Sequence, residues 1–401
     1  MPQVNPDILR WARETAGFSR EQAARKISLK EARGVPGDAR LAELEAGRTA
    51  PSRTLLERMA QQYRRSLLTF YLPERPRTGD RGEDYRTIPD AKKGTSAPLL
   101  DALLRDIKAR QDMLRTVLVE EEEAQPLQFI NSMRVGDGAE AVIASIRRTI
   151  KIASPELRTQ SSPTEVFAVL RNHAESAGIF VLLAGNLGSY HTALDVEVFR
   201  GFALADKIAP FVVINDLDAR SAWSFTLLHE LAHLWIGATG VSGFFSQSRT
   251  EQFCSDVASK YLLPDQDLEL LSISSSNIAT AAEAITTFAR DRHLSRSMVA
   301  YRLLRRGAIT QPVWSRLSAK FREEWNQSRE AQRARARETD GGPNYYVVRR
   351  HRLGSAILRV VGRNLSEGNL TPTKAARILG VKARSVEPLL RGASITVAGT
   401  G

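Results

Sequence analysis

Cysteine and long apolar runs are nearly absent from this chain, and each absence excludes a class of protein. The single cysteine, Cys254, excludes an intramolecular disulfide and is typical of a protein that works in a reducing cytosol. No run of about eighteen apolar residues occurs, so the sequence predicts no membrane-spanning helix. The N-terminal residues include Asp7, Arg10 and Arg13 without an apolar core, so they do not predict a signal peptide. We therefore expect a cytoplasmic protein without a membrane partner.

The balance of charge favours a polyanionic partner. The chain has 401 residues, enough for two or three domains, and a formal net charge of +12. An excess of this size favours contact with nucleic acid, although surface solubility alone explains part of it. The sequence contains no glycine-rich phosphate loop, no zinc-finger cysteine pattern and no internal repeat.

Histidine is also scarce, with six residues, yet two of them lie four apart in the sequence His-Glu-Leu-Ala-His at residues 229–233. Residues at this spacing lie one above the other on a helix face, so His229 and His233 can bind one metal ion. Glu230 points to the neighbouring part of that face, where it can hold and deprotonate a water at the metal. The alternative is a helix with two incidental histidines, but the apolar residues around them predict burial, and buried histidines need partners. The motif therefore predicts the core of a zinc metallohydrolase.

A third ligand is needed, because catalytic zinc takes three protein ligands and leaves a fourth position for water. A second helix is predicted from about residue 249 to Pro264, and Glu251 lies in its first turn, above small residues that allow close approach to the histidine helix. Asp256 is a rival, but it faces away from Glu251. Cys254 is the other rival, since thiolates bind zinc well, although a small buried hydrophobe is its favoured interpretation. We choose Glu251 as the third ligand. Its alternative role is that of an acidic residue in the first turn of a helix, where it stabilises the positive end of the helix dipole.

These residues resemble the ImmA/IrrE family of zinc metallopeptidases. The resemblance rests on residues 225–235, 251–254 and 258–264 and on short predicted strands at 178–183, 199–202 and 209–215. It covers about residues 165–265 and implies a zincin-like α+β core of the gluzincin type. In such a core, His229, His233 and Glu251 would bind Zn²⁺, and Glu230 would be the catalytic base. The chain departs from the family at residues 253–255, where Phe-Cys-Ser replaces an acidic residue, alanine and asparagine, so the contacts behind the ligands are expected to differ.

The first 78 residues predict four short helices. Their signals are an apolar stripe at residues 8–16, a capping box of Ser19 and Gln22, apolar residues at 41 and 44, and a Pro-Ser start at 51–52. This layout resembles the helix-turn-helix of XRE/Cro-type repressors, which implies a third helix in the major groove of double-stranded DNA.

The candidate DNA contacts follow from that resemblance. Arg40 and Glu43 are candidates for the groove, and Lys30 or Arg33 for phosphate. Residues 28–38 are longer and more broken by glycine and proline than the usual turn, so the start of the recognition helix stays open. A small helical bundle that binds protein is the alternative.

The remaining segments give weaker signals. Residues 79–96 are polar and glycine-rich and predict a linker, followed by a long helix to about residue 123. Tyr190 or His191, before the second strand, can steady an oxyanion, although a surface role is favoured. An arginine-rich helical run at 329–337 either touches DNA or is solvated, and residues 371–390 resemble another helix-turn-helix.

Together these features predict a mainly α protein with a small β-sheet. The expected domains are a helix-turn-helix bundle at 1–78, a linker and helical segment at 79–160, a metallopeptidase core at 161–267, a helical extension at 268–340 and a helix-turn-helix-like region at 341–401. The resemblance implies a zinc endopeptidase that cleaves a protein, often a transcriptional repressor, in stress response or control of mobile elements. The sequence itself gives no oligomeric state, but regulators of this kind commonly pair, so a homodimer is one possible assembly.

Two other functions fit the same sequence. One is a DNA-binding transcription regulator or antitoxin-like protein whose metal site is sensory or vestigial. The intact Glu230 argues against a vestigial site, since a purely structural metal does not need a base. The other is metal-dependent hydrolysis of a substrate that is not a peptide.

Overall fold

The computed structural model describes residues 3–76, 90–121, 124–189, 192–238, 240–242, 249–273, 277–338 and 344–391. The chain divides into two compact units. The first comprises Met1–Arg81, Ile88–Asp106 and Asn186–Leu194, and the second Gly82–Thr87, Ile107–Gly185 and Asp195–Gly401. Helix predominates and a small mixed sheet lies in the second unit, which confirms the predicted fold class. Within the described ranges, no helix combines the length and apolar character needed to cross a bilayer.

Four helices and a short 3-10 helix (Leu67–Tyr71) of the first unit share one apolar core. The four helices are α1 (Pro6–Thr15), α2 (Arg20–Lys26), α3 (Gly37–Glu45) and α4 (Arg53–Tyr63). Two of them begin at the capping residues that the sequence predicts. Ser19 and Gln22 make both hydrogen bonds of the capping box, and the side chain of Ser52 accepts a hydrogen bond from the backbone N–H of Leu55. The helices bury their apolar faces against one another.

A buried ion pair joins α1 to α3. Arg13 donates to the Glu45 carboxylate through Nε, at 2.5 Å, and through Nη2, at 3.1 Å. The same carboxylate accepts a hydrogen bond from Arg20 of α2, and the Glu45 side chain is only 1% exposed. A buried charge without partners is costly, so these contacts fix the register of three helices at once.

The sheet of the second unit has four short strands. They are β1 (Phe180–Leu183), β2 (Gly201–Leu204), β3 (Phe211–Ile214) and β4 (Gly240–Ser242), in the order β1-β3-β2-β4. β1 and β3 are parallel, whereas β2 is antiparallel to β3 and β4. β1 and β3 lie within their predicted ranges, and β2 lies two residues later than predicted. β4 was not predicted, because a three-residue edge strand offers no period-two pattern.

Most helices of the second unit precede or follow these strands in the chain. In chain order they are α5 (Asp90–Glu120), which begins in the first unit, α6 (Ala139–Ile150), α7 (Ser154–Arg158), α8 (Pro163–Ser176), α9 (Arg220–Trp235), α10 (Arg249–Leu262), α11 (Asp265–Leu268), α12 (Ile278–Asp291), α13 (Arg296–Arg305) and α14 (Gln311–Glu338). Helix α9 packs against α6, α8 and α10 and against strands β2 and β3. It is therefore the central element of the core.

Helix α5 shortens the predicted linker. The polar and glycine-rich composition placed a linker at residues 79–96, but the helix begins at Asp90 and includes Pro98. Residues 79–89 lie outside the described residues. A proline removes one backbone hydrogen bond yet does not end a helix whose apolar face is packed, and Leu103 and Ile107 are buried. Further along, the Gln111 side chain donates to two backbone carbonyls of the β2–β3 connection, at 3.0 and 2.7 Å.

The C-terminal residues form a compact set of helices on the core. They are α15 (Tyr345–Leu353), α16 (Ser355–Ser366), α17 (Pro372–Leu379) and α18 (Val386–Arg391). Helix α8 holds their junction through two charged residues: Arg171 donates to the carbonyl of His351 at 2.6 Å, and Glu175 accepts from the backbone N–H of Ser355 at 2.9 Å. The two helices predicted at residues 371–390 correspond to α17 and α18.

Replacing Glu45 with alanine should destabilise the first unit by about 3–5 kcal/mol, because Arg13 would stay buried without its partner. The matched control is Glu57→Ala, which removes the exposed partner of Arg53 on α4 and should cost less than about 0.5 kcal/mol. Amide hydrogen exchange across α1–α4 measures both changes. Equal losses of protection in the two variants would contradict the structural role of the buried pair.

Candidate metal centre

Helix α9 is buried on nearly every side. Every residue from Thr226 to Trp235 is buried, so over nearly three turns no face of the helix is left to solvent. A helix covered on all sides belongs inside the core. Its polar side chains therefore have only each other and their packed neighbours as partners.

The two histidines of α9 converge on one point. His229 and His233 are one turn apart, and their Nε2 atoms lie 3.1 Å from each other. Helix α10 packs directly on α9 and brings Glu251 to the same place from its first turn. The Glu251 Oε2 atom lies 3.1 Å from His229 Nε2, and Oε1 lies 2.8 Å from His233 Nε2.

The three side chains fit a divalent metal ion. One ligand atom from each lies within 4.8 Å of the others, and all three residues are buried. Two imidazole nitrogens and one carboxylate oxygen form a donor set typical of catalytic zinc, with a fourth position left for water. Among the residues that the structure describes, this is the one such group of His, Cys, Asp or Glu. The structure thus brings together His229, His233 and Glu251 in an arrangement that can hold a metal ion.

The carboxylate of the site is held in its ionised form. Burial alone would raise the pKa of Glu251, but the imidazoles of His229 and His233 beside it hold this pKa well below its usual range. A metal ligand has to be deprotonated. The lowered pKa of Glu251 therefore favours the charged oxygen donor that a metal needs.

The two rival ligands lie elsewhere. Asp256 accepts a hydrogen bond from the Tyr301 hydroxyl at 2.8 Å and forms two further bonds with the guanidinium of Arg305. These contacts join α10 to α13. Cys254 is fully buried and is not among the converging donors.

Ser255 supplies a contact behind the first histidine. Its Oγ lies 3.3 Å from Nδ1 of His229, the ring nitrogen on the side away from Glu251. When Nε2 faces a metal, Nδ1 carries the ring proton and donates it to this oxygen, which fixes the orientation of the ring. This serine stands where the family resemblance leads one to expect asparagine.

Glu230, the residue after His229 on α9, is fully buried, and its carboxylate lies close to Gly201 of strand β2. A Cβ atom built on Gly201 would lie 2.8 Å from Oε1 of Glu230 and 2.6 Å from a methyl group of Thr226. Any larger residue at this position would compete with the carboxylate for space. The sequence analysis missed this role of Gly201, although a glycine inside a predicted strand is a signal of close approach.

The candidate DNA contacts lie in the first unit. The chain between α2 and α3 forms a two-residue hairpin, in which Ala32 and Val35 exchange backbone hydrogen bonds at 3.1 Å. Arg33 and Gly34 occupy its tip with φ angles of 55° and 74°, as a type I′ turn requires. Arg33 is thus presented to solvent at the end of a small projection.

The hairpin is connected to helix α3. Arg40 donates from Nη1 to the carbonyl of Lys30, at 2.6 Å, at the base of the hairpin. Lys30 itself is exposed, and Glu43 is half-buried one turn after Arg40. Helix α3 begins at Gly37, which fixes the start of the predicted recognition helix. Tyr190 and His191 lie outside the described residues.

Comparison with known protein families gives one match. The peptidase family M78 model, described as the IrrE N-terminal-like domain, matches residues 174–304. This region is metallopeptidase-like. It contains the whole donor set, and it extends through α12 and most of α13. No match was found among curated proteins or among solved structures.

Replacing Glu251 with alanine should weaken zinc binding by more than about 100-fold, since changes to residues behind a metal ligand already cost 10–100-fold. Cys254→Ala, at the rival position on the same helix, should leave the affinity unchanged. Zinc content by elemental analysis and competition with a chelator measure both variants. Loss of zinc in the cysteine variant and retention in the glutamate variant would reverse the assignment.

Proposed function

We propose that this protein is a zinc-dependent endopeptidase of the gluzincin type, joined to an N-terminal DNA-binding helix-turn-helix domain. The observation that carries the proposal is the buried convergence of His229, His233 and Glu251, with the buried Glu230 directly after His229 on the same helix. The family match over residues 174–304 supports the same reaction class. We infer that the substrate is a regulatory protein such as a transcriptional repressor, cleaved in a stress response or in control of mobile elements.

The residues of the chain have distinct parts in the proposed reaction. His229, His233 and Glu251 would hold Zn²⁺, which when bound lowers the pKa of water and polarises a peptide carbonyl. Glu230 would accept the proton of the attacking water on its carboxylate and return it to the nitrogen of the leaving amine. Gly201 gives this carboxylate room, and the burial of the site excludes bulk water from the proton transfer.

The DNA-binding part of the proposal rests on the first unit. The order of its four short helices supports a helix-turn-helix bundle, in which α3 would be the recognition helix. Arg40 and Glu43 lie on this helix, while Lys30 and Arg33 lie on the hairpin before it. We infer that the hairpin contacts phosphate and that double-stranded DNA is the partner of this unit.

A regulator with a sensory metal site is the second candidate. It is favoured by the same helix-turn-helix unit and needs no cleavage. The space that Gly201 leaves for Glu230 favours hydrolysis, because a ligand set that only senses zinc has no need of an adjacent carboxylate.

Replacing Glu230 with glutamine should lower peptide cleavage by about 10²–10⁴-fold while zinc content stays unchanged, because the amide cannot accept the proton. Glu283→Gln on α12, an exposed position, is the matched control and should cleave normally. The measurement is mass-spectrometric analysis of a peptide library incubated with zinc-loaded protein. Cleavage that survives in the Glu230 variant would exclude the proposed base. If the unaltered protein cleaves neither this library nor a co-expressed repressor, and both proteins repress a promoter equally, the regulator is the better description.

Replacing Arg33 with alanine should weaken binding to all DNA duplexes alike and lower the slope of log affinity against log salt by about 1, as for the loss of one phosphate contact. Arg40→Ala should weaken binding to a duplex selected from a random library more than binding to an unselected duplex. Arg290→Ala, on α12, is the control. Fluorescence anisotropy measures the DNA affinity of all three variants between about 50 and 200 mM salt, the range over which binding through phosphate contacts weakens steeply. An equal loss on both duplexes would remove Arg40 from the groove.

A further inference from the structure

The C-terminal helices have a strong excess of positive charge. Residues 344–391 contain ten lysines and arginines and only two acidic residues, a net charge of +8 in a chain whose total is +12. Most of the basic character of the protein is therefore concentrated in this short segment.

Half of these basic side chains have structural roles. Arg349 donates to the carbonyls of Leu379 and Gly380, and Arg350 to that of Pro388. Three others form ion pairs, namely Arg352 with Asp216, Arg363 with Glu121 and Arg391 with Glu387. These contacts hold the segment together and attach it to the core.

The other half is available to a partner. Arg359, Lys374, Arg377, Lys382 and Arg384 are all exposed, and in the described part of the chain no ion pair joins them to a carboxylate. Four of the five lie between residues 374 and 384, in α17 and the turn that follows it. We call Lys374, Arg377, Lys382 and Arg384 the C-terminal basic cluster.

The fold directs this cluster outward. Ala375, Ala376, Ile378 and Leu379 bury one side of α17, and Lys374 and Arg377, three residues apart, share the opposite side. The turn after α17 begins at Gly380 in the left-handed conformation and leads through Lys382 and Arg384 into α18. Helix α18 packs back on α17 through Val386 and Leu389. The basic residues thus lie on the exposed side of a helix pair joined by a short turn.

The cluster is held on a rigid base. The side chain of Arg171, which is buried, donates to the carbonyls of His351 and Val181, so it ties α15 to strand β1. Glu175 accepts from the backbone N–H groups of Ser355 and Ala356 and thereby caps α16. An interaction surface on such a base loses little conformational entropy on binding.

We propose that the C-terminal basic cluster binds the phosphates of double-stranded DNA and gives the protein a DNA contact independent of its N-terminal helices. Four lysine and arginine side chains on a helix pair form an electrostatic footprint for a polyanion. No aromatic residue occurs between residues 371 and 391, so α17, α18 and the turn between them carry no ring on which unpaired bases could stack or that could anchor in a membrane. The contact is therefore to a duplex backbone, and it does not depend on base sequence.

The test compares two full-length variants with the same net charge. One is K374Q/R377Q/K382Q/R384Q, and the control is R148Q/K207Q/R290Q/R316Q, which neutralises four exposed basic residues elsewhere in the second unit. Affinity for a duplex of random sequence is measured by fluorescence anisotropy at several salt concentrations. Loss of the cluster should lower the slope of log affinity against log salt by up to about 3.6, and the control by less than about 1.

Further measurements keep the outcomes distinct. Circular dichroism and zinc content test whether the fourfold variant is folded. If it is not, the double variants K374Q/R377Q and K382Q/R384Q replace it. Each double variant should lower the slope of log affinity against log salt by up to about 1.8. Adding K30A/R33A to every variant removes the hairpin contacts of the first unit, and the effect of the cluster should persist there. If the cluster variants have the same slope of log affinity against log salt as the control, the proposal is overturned, with or without K30A/R33A. Lost affinity for an RNA hairpin with unchanged affinity for duplex DNA also overturns it and assigns the surface to RNA.

Discussion

The core of the second unit depends on the contacts between the buried carboxylate of Glu251 and the two imidazoles on either side of it. Three polar side chains on two helices lie in an apolar core, where each would be costly without the others. Their mutual contacts fix the register of α10 on α9, and small residues at Cys254 and Ala258 allow the helices to approach. The sheet then forms the surface against which α9 packs. A metal ion at this point would bind a site whose shape is already set by packing.

Much of this arrangement could be predicted from residue patterns because the signals are local. The four-residue spacing of the histidines, the Ser19 capping box and the Ser52 cap each act within one turn of helix, and each appears as expected. Features that depend on distant parts of the chain could not be predicted. The role of Gly201 depends on where α9 crosses β2, and β4 exists as a strand only because β2 lies beside it. The polar and glycine-rich composition of residues 90–96 gave a misleading signal, since burial further along α5 outweighs this local preference.

The C-terminal helices show how charge can serve two purposes in one segment. Arg349, Arg352 and the other basic residues with structural contacts donate to carbonyls and carboxylates of the fold. Their positive charge therefore stabilises the structure. The residues of the C-terminal basic cluster have no such task. Composition alone cannot separate the two sets, because both are arginine and lysine at similar density. Only the contacts of each side chain show which charges are available to a partner.

The contacts of α13 bear on how the peptidase region can be divided. Tyr301 and Arg305 hold Asp256, and Arg302, which is 2% exposed, donates to the carbonyl of Leu263 and to Asp265. The helix with the acidic donor is thus anchored by residues some forty positions later in the chain. A fragment that stopped after α10 would keep every side chain of the donor set but lose the clamp that holds one of them in place. The smallest piece able to retain the pre-formed pocket has to reach Arg305.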